Sequence, residues 1–260
     1  MNTDIAQKRE VFHIAFLRAL ARSLSQSALA VKGGCNLRFF FGSPRYSEGI
    51  DLDVAGVEVH VLQDKVMSIL RSEALAATAR TFGIEGIRPP DLARAKQTET
   101  VQRFKVHLLT AAGEDLSTKV EFSRPGLDAA VRAEPMLPQV LAAYRMPPLI
   151  APHYPAGAAA RQKVQALLTR RQPQARDVFD LYWLSTRPGV NELDLVAEFG
   201  RARLGRALER VYAMSYRQYR DTVVSFLDAG DLEALDGEEM WDQIRLVVAS
   251  LLEGEPAHGP

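Results

Sequence analysis

Two aspartates alternate with apolar residues in the segment Ile50–Val54, and this pattern limits what the chain can fold into. Successive side chains of a β-strand point to opposite faces, so Asp51 and Asp53 share one face and the apolar residues share the other. The apolar face can join a core while the acidic face binds a metal. Hard divalent cations prefer carboxylate and phosphate oxygens, so the pattern is compatible with a two-metal site for phosphoryl chemistry; a solvated strand edge has the same spacing.

A glycine pair precedes this strand. Residues 28–32 predict a short apolar strand that leads into Gly33 and Gly34, and residues 36–41 predict a short helix that ends at Gly42. Glycine lets backbone N–H groups come close to an anion at the start of a helix. The order of strand, glycine turn, helix and acidic strand therefore predicts a turn that binds phosphate.

A later strand offers a third carboxylate. Residues 104–110 and 116–123 predict two strands joined by the turn at 111–115, which is a hairpin signal. In the second of these strands, Lys119 and Glu121 share the polar face. Glu121 is therefore a candidate to stand beside the aspartate pair.

The proline-rich segment 146–155 is the predicted domain boundary, because prolines interrupt regular structure there. Before it, an amphipathic helix over residues 4–25 is expected to cover the sheet, and a second helix is expected over 63–81. We predict an α+β domain over residues 1–150 and a helical domain over 151–260. The helical segments expected in the second domain are 158–171, 175–185, 193–200, 204–229 and 237–252.

Charged residues of the helical half allow two interpretations. Lys163 and Arg170 follow one helical stripe, and Asp177 and Asp180 form an i,i+3 pair on the next helix. They are either ordinary ion pairs on a solvated face, or a lysine that reaches a triphosphate with acids that orient it. Spacing alone leaves both open.

Composition describes an ordinary globular protein of 260 residues with 47% hydrophobic and 25% charged residues. Basic and acidic residues both number 32, so any contact with nucleic acid has to come from a local patch. One candidate patch is the basic aromatic run 210–220, which could stack on and pair with RNA. The alternative is that the run packs against the protein with a solvated flank. The single cysteine excludes an intramolecular disulfide framework, and without a leader or a long apolar segment a cytoplasmic protein without membrane contact is expected.

Three segments in this order resemble the AbiEii/AbiGii-type nucleotidyltransferase toxins, the enzymatic half of abortive-infection toxin–antitoxin pairs. The resemblance implies a polymerase-β-like nucleotidyltransferase core, with a mixed sheet and helices, followed by a helical C-terminal domain. It also implies Mg²⁺, an NTP donor, an RNA acceptor with tRNA favoured, a winged-helix antitoxin and a role in phage defence. The segments are Lys32–Arg38 with Arg45–Asp53, Lys119–Phe122, and Lys163–Leu167 with Arg176–Tyr182.

The same resemblance implies a role for individual residues. Asp51, Asp53 and Glu121 match the catalytic acids that bind metal, and Lys163 matches the lysine that contacts the triphosphate. In the cleft between the two lobes, Glu121 or Asp53 would take the proton of an acceptor hydroxyl, which then attacks the α-phosphorus and releases pyrophosphate. The candidates for nucleotide binding are Gly33, Gly34, Cys35, Arg38, Arg45, Ser47, Arg176, Asp177 and Asp180.

The chain departs from the family at two positions. The family usually reads Ser-x-Asp-Ile-Asp where this chain reads Ser-Glu-Gly-Ile-Asp, so Gly49 replaces the first acid. Asp53 continues the strand face and is the other candidate, although a shift of two positions moves a carboxylate by roughly 6.6 Å. Cys35 stands where Ser or Thr is common. Two alternatives to an RNA-directed enzyme therefore stay open: a catalytically impaired nucleotide-binding relative, and a small-molecule nucleotidyltransferase of the antibiotic-modifying type.

Overall fold

Within the part of the chain that the computed structural model describes, residues 3–93 and 97–254, seven strands form one mixed sheet. The strands are β1 (Leu29–Lys32), β2 (Gly49–Val54), β3 (Ile84–Arg88), β4 (Val101–Thr110), β5 (Asp115–Ser123), β6 (Arg132–Pro135) and β7 (Ile150–His153). They lie in the order β3-β4-β5-β2-β1-β7-β6. β2 pairs antiparallel with β1 and parallel with β5, so the acidic strand has a neighbour on both sides.

The chain folds into two compact units. The first comprises residues up to Gly42 together with Tyr46–Tyr154, and the second comprises Ser43–Arg45 with the chain from Pro155 onward. Helices of the first unit are α1 (Thr3–Ser23), α2 (Gly33–Phe41), α3 (Val59–Leu70), α4 (Glu73–Arg80) and α5 (Pro138–Ala142). Those of the second unit are α6 (Ala156–Thr169), α7 (Ala175–Ser185), α8 (Leu195–Phe199), α9 (Arg201–Tyr212), α10 (Tyr216–Thr222), α11 (Ala229–Leu235) and α12 (Glu238–Glu253).

The core of the first unit follows the predicted alternation. Ile50, Leu52 and Val54 of β2 are buried, and α1 contacts β2 and β5 with its apolar face, where Phe12 and Phe16 are fully buried. The α+β class, the mixed sheet, the covering helix and the β4–β5 hairpin are confirmed. Burial of alternate residues fixes the register of β2, because a slip of one residue would turn the aspartates into the core.

Three predicted elements are wrong in detail. The helix expected over 63–81 is two helices, since Ser72 caps a new helix by accepting the N–H of Leu75. The helix expected over 204–229 is also broken, because Ser215 starts α10 with a capping box. Regular structure continues into the proline-rich segment, where β7 pairs with β6 and with β1.

Aromatic packing organises the second unit. Tyr219 stacks on Trp241 with ring centroids 4.7 Å apart and also contacts Phe179 of α7, and all three side chains are buried. Arg210 donates to three carbonyl groups at the end of α6 and just after it. The basic aromatic run 210–220 is thus divided between α9 and α10: Arg210 and Tyr219 contribute to packing, whereas Tyr212, Arg217 and Arg220 are exposed.

Membrane-spanning length and hydropathy do not occur together in any helix of the described residues.

Candidate active site

A row of four charged residues, two acids between two cations, crosses four neighbouring strands of the sheet. Asp51 of β2 lies opposite Lys32 of β1 and Glu121 of β5, and Glu121 lies opposite Arg103 of β4. Residues that pair directly across strands project from the same face of a sheet, so these four side chains are neighbours. The structure therefore brings two of the three predicted acids, Asp51 and Glu121, together.

Lysine and arginine side chains neutralise this acid pair. The Lys119 ammonium lies 3.3 Å from Asp51 Oδ1 and 3.8 Å from Glu121 Oε2, and Arg103 Nε donates to Glu121 Oε2 at 2.6 Å. The Asp51 side chain remains 31% exposed and that of Lys119 40% exposed. A ligand can therefore reach both from solvent.

Asp53, the third predicted acid, is occupied by other partners. Lys32 donates to its Oδ1 at 2.5 Å, and the Tyr154 hydroxyl donates to its Oδ2 at 2.7 Å. The carboxylate is only 2% exposed. Burial, together with the hydrogen bond to Asp53, raises the pKa of Tyr154, so the phenol stays protonated as a donor. Asp53 thus connects β1, β2 and the residue after β7 instead of facing a ligand.

The predicted phosphate turn is the first turn of α2. Gly33 adopts a left-handed φ of 66°, and a β-carbon on it would lie 3.0 Å from Asp51 Oδ2, so only glycine fits beside this carboxylate. Gly34 follows in the first helical turn, whose N–H groups have no acceptor within the helix. The Cys35 side chain is buried, with its thiol 3.4 Å from the Gly49 carbonyl. It supports β2 and leaves only its backbone N–H for a phosphate.

A buried histidine that the sequence did not single out lies behind this turn. His13 Nε2 is 2.7 Å from Thr118 Oγ1, which donates to the Glu48 carbonyl at 2.7 Å. Burial lowers the pKa of His13 to about 3, and Arg9 contributes in the same direction. The imidazole is therefore neutral at physiological pH and fixes the start of β2. Helical spacing on α1 was the signal available in the sequence, and it does not separate this role from ordinary packing.

Arg38, predicted to bind nucleotide, lies in an internal network. Its Nε donates to Glu10 Oε1 at 2.7 Å, and its guanidinium stacks on Tyr46 at 4.0 Å. Tyr144 donates to the other oxygen of Glu10. Burial alone would lower the pKa of Arg38, but the Glu10 carboxylate raises it, so the guanidinium stays charged. Ser47 lies half-buried in the loop before β2.

The second unit contains a buried network of three cations and two carboxylates. Lys163 Nζ lies 2.5 Å from Asp180 Oδ2 and 3.0 Å from Asp177 Oδ1. Arg45 donates to both oxygens of Asp180 at 3.0 and 3.1 Å, and Arg170 pairs with Asp177. The predicted meeting of the lysine stripe with the two acids is confirmed, and the solvated-face interpretation is wrong because both aspartates are fully buried.

Within this network, the pKa values of Lys163 and Asp180 are shifted in favour of their charged forms. Burial alone would lower the pKa of Lys163, but the carboxylates of Asp180 and Asp177 raise it above its usual value. Burial alone would raise the pKa of Asp180, but Arg45 and Lys163 lower it. Lysine and aspartate therefore stay ionised, and each is satisfied by the other.

An open groove of about 690 Å³ adjoins the network through Arg170. All of its lining side chains carry N–H donors, and none is acidic: Arg170, Arg171, Gln172, Gln174 and Arg176. Guanidinium groups bind phosphate through paired hydrogen bonds. Arg176, a predicted nucleotide-binding residue, belongs to this groove.

The acids as arranged do not fit the divalent cation that the sequence led us to expect. Across residues 3–93 and 97–254, no three His, Cys, Asp or Glu side chains are grouped so that they could hold a metal ion. Both oxygens of Asp53 accept hydrogen bonds, and one oxygen each of Asp51 and Glu121 faces Lys119. Mg²⁺ can be held by one or two carboxylates together with phosphate and water, so the ammonium beside Asp51 and Glu121 is what opposes a metal here.

Comparison with known proteins gives one family and several similar folds. A family model described as nucleotidyl transferase AbiEii toxin, Type IV TA system, matches residues 15–256. The crystal structure of JHP933 from Helicobacter pylori is 19% identical, with a TM-score of 0.58 over 95% of this chain and 90% of that one. MenT4, a nucleotidyltransferase toxin from Mycobacterium tuberculosis, is 17% identical, with a TM-score of 0.56 over 96% of this chain and 84% of that one. Comparison with curated proteins gives no match.

Proposed function

Since the chain belongs to the AbiEii family of nucleotidyl transferase toxins of Type IV toxin–antitoxin systems, we propose that it transfers a nucleoside monophosphate from an NTP to an RNA acceptor. Transfer RNA is the first acceptor to test. The observation that carries the proposal is the partly exposed pair of Asp51 and Glu121 beside the glycine start of α2. This arrangement places acids that can take a proton next to backbone N–H groups that can hold phosphate.

Each group of the first unit has a task in this reaction. The first N–H groups of α2 bind phosphate oxygens of the NTP. Asp51 or Glu121 accepts the proton of the acceptor hydroxyl. The hydroxyl oxygen then forms a bond to the α-phosphorus, the bond to the β-phosphate bridging oxygen breaks, and pyrophosphate leaves. Asp53 holds the strands that carry these groups. We give it no part in proton transfer, because both of its oxygens already accept hydrogen bonds. Since the acids do not fit a divalent cation, no step is assigned to Mg²⁺.

The arginine groove of the second unit supports an acceptor with a phosphate backbone. Arg171 and Arg176 offer guanidinium groups without a competing carboxylate in the groove lining. Contacts from Lys and Arg to phosphate supply most of the affinity of nucleic-acid binding that does not depend on sequence. Although the net charge is +0, this local patch meets the requirement set by the composition.

A catalytically impaired relative that binds NTP without transfer is the second candidate. One observation favours it: Gly49 carries no carboxylate where the family usually has one, and Lys119 approaches the remaining acids. The two candidates predict the same nucleotide binding and differ in product formation.

Transfer of each α-labelled NTP to tRNA, to total RNA and to aminoglycosides tests the proposal. We expect label on tRNA with the natural protein, its loss in Asp51→Asn and Glu121→Gln, and its retention in Glu85→Gln, which removes an exposed carboxylate of β3. Label on aminoglycosides alone would identify a small-molecule enzyme. NTP binding without any labelled acceptor would identify the impaired relative.

The family places the chain in a toxin–antitoxin system, and we propose a winged-helix antitoxin and a role in phage defence. Growth arrest on expression, relieved by co-expression of the neighbouring gene product, tests the pairing. Plating of phage on cells with and without the gene pair tests defence. The cytoplasm is the proposed location.

A further inference from the structure

We infer that the Lys119 ammonium is the resident cation of the Asp51–Glu121 pair, and that it meets incoming phosphates at the place where a divalent ion would otherwise bind. The inference deepens the proposed function and rests on it for the identity of the natural ligand, a triphosphate. It assigns a binding role to a lysine that the sequence placed on the polar face of β5 without a task.

Glycine at position 49 makes room for this lysine. Gly49 and Lys119 are paired across β2 and β5. A β-carbon at position 49 would lie 2.4 Å from Lys119 Cγ, 3.1 Å from Lys119 Cε and 2.7 Å from the Lys119 carbonyl oxygen. The lysine side chain therefore runs directly over the Gly49 α-carbon on its way to Asp51, through the space that any side chain at 49 would need.

The ammonium and a bridging divalent ion exclude each other. Lys119 Nζ lies 3.3 Å from an oxygen of Asp51 and 3.8 Å from an oxygen of Glu121, so one ammonium is close to both carboxylates. A magnesium ion bound to both would need oxygens at about 2.1 Å and would meet a positive charge in the same space. In this chain, the absence of a side chain at 49 leaves the space through which the ammonium reaches the acids.

The third acid on this strand face does not restore the metal site. Asp53 is held by Lys32 and Tyr154, and Arg103 donates to the Glu121 oxygen that faces Lys119. Lys119 itself is 40% exposed, so its remaining N–H donors can reach a phosphate. The site therefore presents an ammonium to the ligand, with Asp51 and Glu121 holding it in place.

Electron paramagnetic resonance can measure the binding of Mn²⁺ to the full chain without nucleotide. This measurement tests whether the Lys119 ammonium excludes a divalent ion. We expect Lys119→Met to bind Mn²⁺ at least about tenfold more tightly than the natural protein, because the methionine retains the length and removes the charge. Lys105→Met is the matched control, since Lys105 is the exposed cross-strand neighbour of Lys119 on β4. We expect the Mn²⁺ affinity of Lys105→Met to stay within about twofold of the natural protein, because in the part of the chain that the structure describes the Lys105 ammonium forms no ion pair.

Calorimetric titration with inorganic tripolyphosphate in the presence of EDTA tests the phosphate contact. We expect Lys119→Met to lose at least about tenfold in affinity, and Lys119→Arg, which keeps a cation, to lose less than about threefold. Equal Mn²⁺ affinity in the natural protein and Lys119→Met, or unchanged tripolyphosphate affinity, would overturn the inference. Neither titration contains RNA or measures transfer, so a failure of the proposed reaction leaves this result readable.

Discussion

Gly49 and Lys119 lie opposite each other on β2 and β5, and the lysine occupies the space above the glycine α-carbon. The contact includes the lysine backbone, whose carbonyl oxygen would lie 2.7 Å from a β-carbon at 49. A side chain at this position therefore conflicts with the strand itself as well as with the ammonium arm.

Gly49→Ala is expected to destabilise the protein by about 1–3 kcal/mol, as overpacking in a rigid core does. Urea unfolding followed by circular dichroism measures the effect. Shortening the neighbour in Gly49→Ala/Lys119→Ala should restore only part of the loss, because the carbonyl contact remains. Gly86→Ala is the control, since a β-carbon there meets only the Leu109 side chain at 3.4 Å and beyond. Equal stability of Gly49→Ala and the natural protein would contradict the close approach.

The buried network of the second unit predicts a large cost for removing its lysine. Lys163→Met leaves Asp177 with Arg170 alone and Asp180 with Arg45 alone, both fully buried. We expect a loss of about 3–5 kcal/mol in the free energy of unfolding, as for other broken buried pairs. Arg161→Met, two residues before Lys163 on α6, removes a partly exposed pair with Glu198 and should cost about 1 kcal/mol or less. Similar losses in the two variants would show that the network is not a structural unit.

Acid is expected to weaken the fold through His13. Its pKa is about 3 in the folded chain and 6.5 in the unfolded chain, so between these values the unfolded state binds the extra proton. Stability is therefore complete above about pH 6.5 and falls as the pH drops, by about 2 kcal/mol at pH 5. Unfolding free energies measured from pH 7.5 to 4.5 should show this slope, and His13→Gln should flatten it. His60→Gln, at an exposed site on α3, should leave it unchanged.

Asp51 and Asp53 are expected to fail in different ways. Asp51→Asn should abolish transfer with little change in melting temperature, since this side chain is partly exposed and has one ammonium partner. Asp53→Asn should lower the free energy of unfolding by about 1–3 kcal/mol, because it removes the charge that Lys32 and Tyr154 hold. Transfer rates and melting curves on both variants measure the contrast. If Asp53→Asn were fully stable and still lost transfer, Asp53 would take part directly in the reaction.

Arginines of the groove are expected to bind RNA through phosphate. Arg171→Gln should weaken tRNA binding at low salt and reduce the slope of log affinity against log salt by about one. Fluorescence anisotropy with labelled tRNA at several salt concentrations measures both. Arg217→Gln, at an exposed position of α10 outside the groove, is the control. A slope that stays the same in Arg171→Gln would exclude the groove as a phosphate site.

Much of the arrangement is readable from local patterns. The period of two in residues 50–54 and 116–122 predicts which faces of two strands are polar, and the structure pairs Asp51 with Glu121. The i,i+3 spacing of Asp177 and Asp180 predicts a shared helix face, which the structure directs toward Lys163. These two predictions succeed because each depends only on the side-chain periodicity within a single strand or helix.

Roles that depend on register and distant partners could not be read in this way. Asp53 has the same alternation as Asp51, yet it is buried because Lys32 on β1 and Tyr154, 101 residues later, both reach it. The path of Lys119 over Gly49 depends on which residue of β5 faces which residue of β2. Helix breaks at Ser72 and Ser215 were hidden within long amphipathic runs, where capping outweighs periodicity.

Ser43–Arg45 belong to the second unit although the chain on either side of them belongs to the first. The Arg45 guanidinium donates hydrogen bonds to both oxygens of Asp180, so a fragment that starts at Pro155 would leave that buried acid with Lys163 alone. The segment from Pro155 onward therefore lacks a residue that its own compact unit needs. Recombination between relatives at the residue 154–155 junction would take Arg45 and Asp180 from different parents. Residues 43–45, far upstream of the junction, therefore constrain the exchange of the two halves.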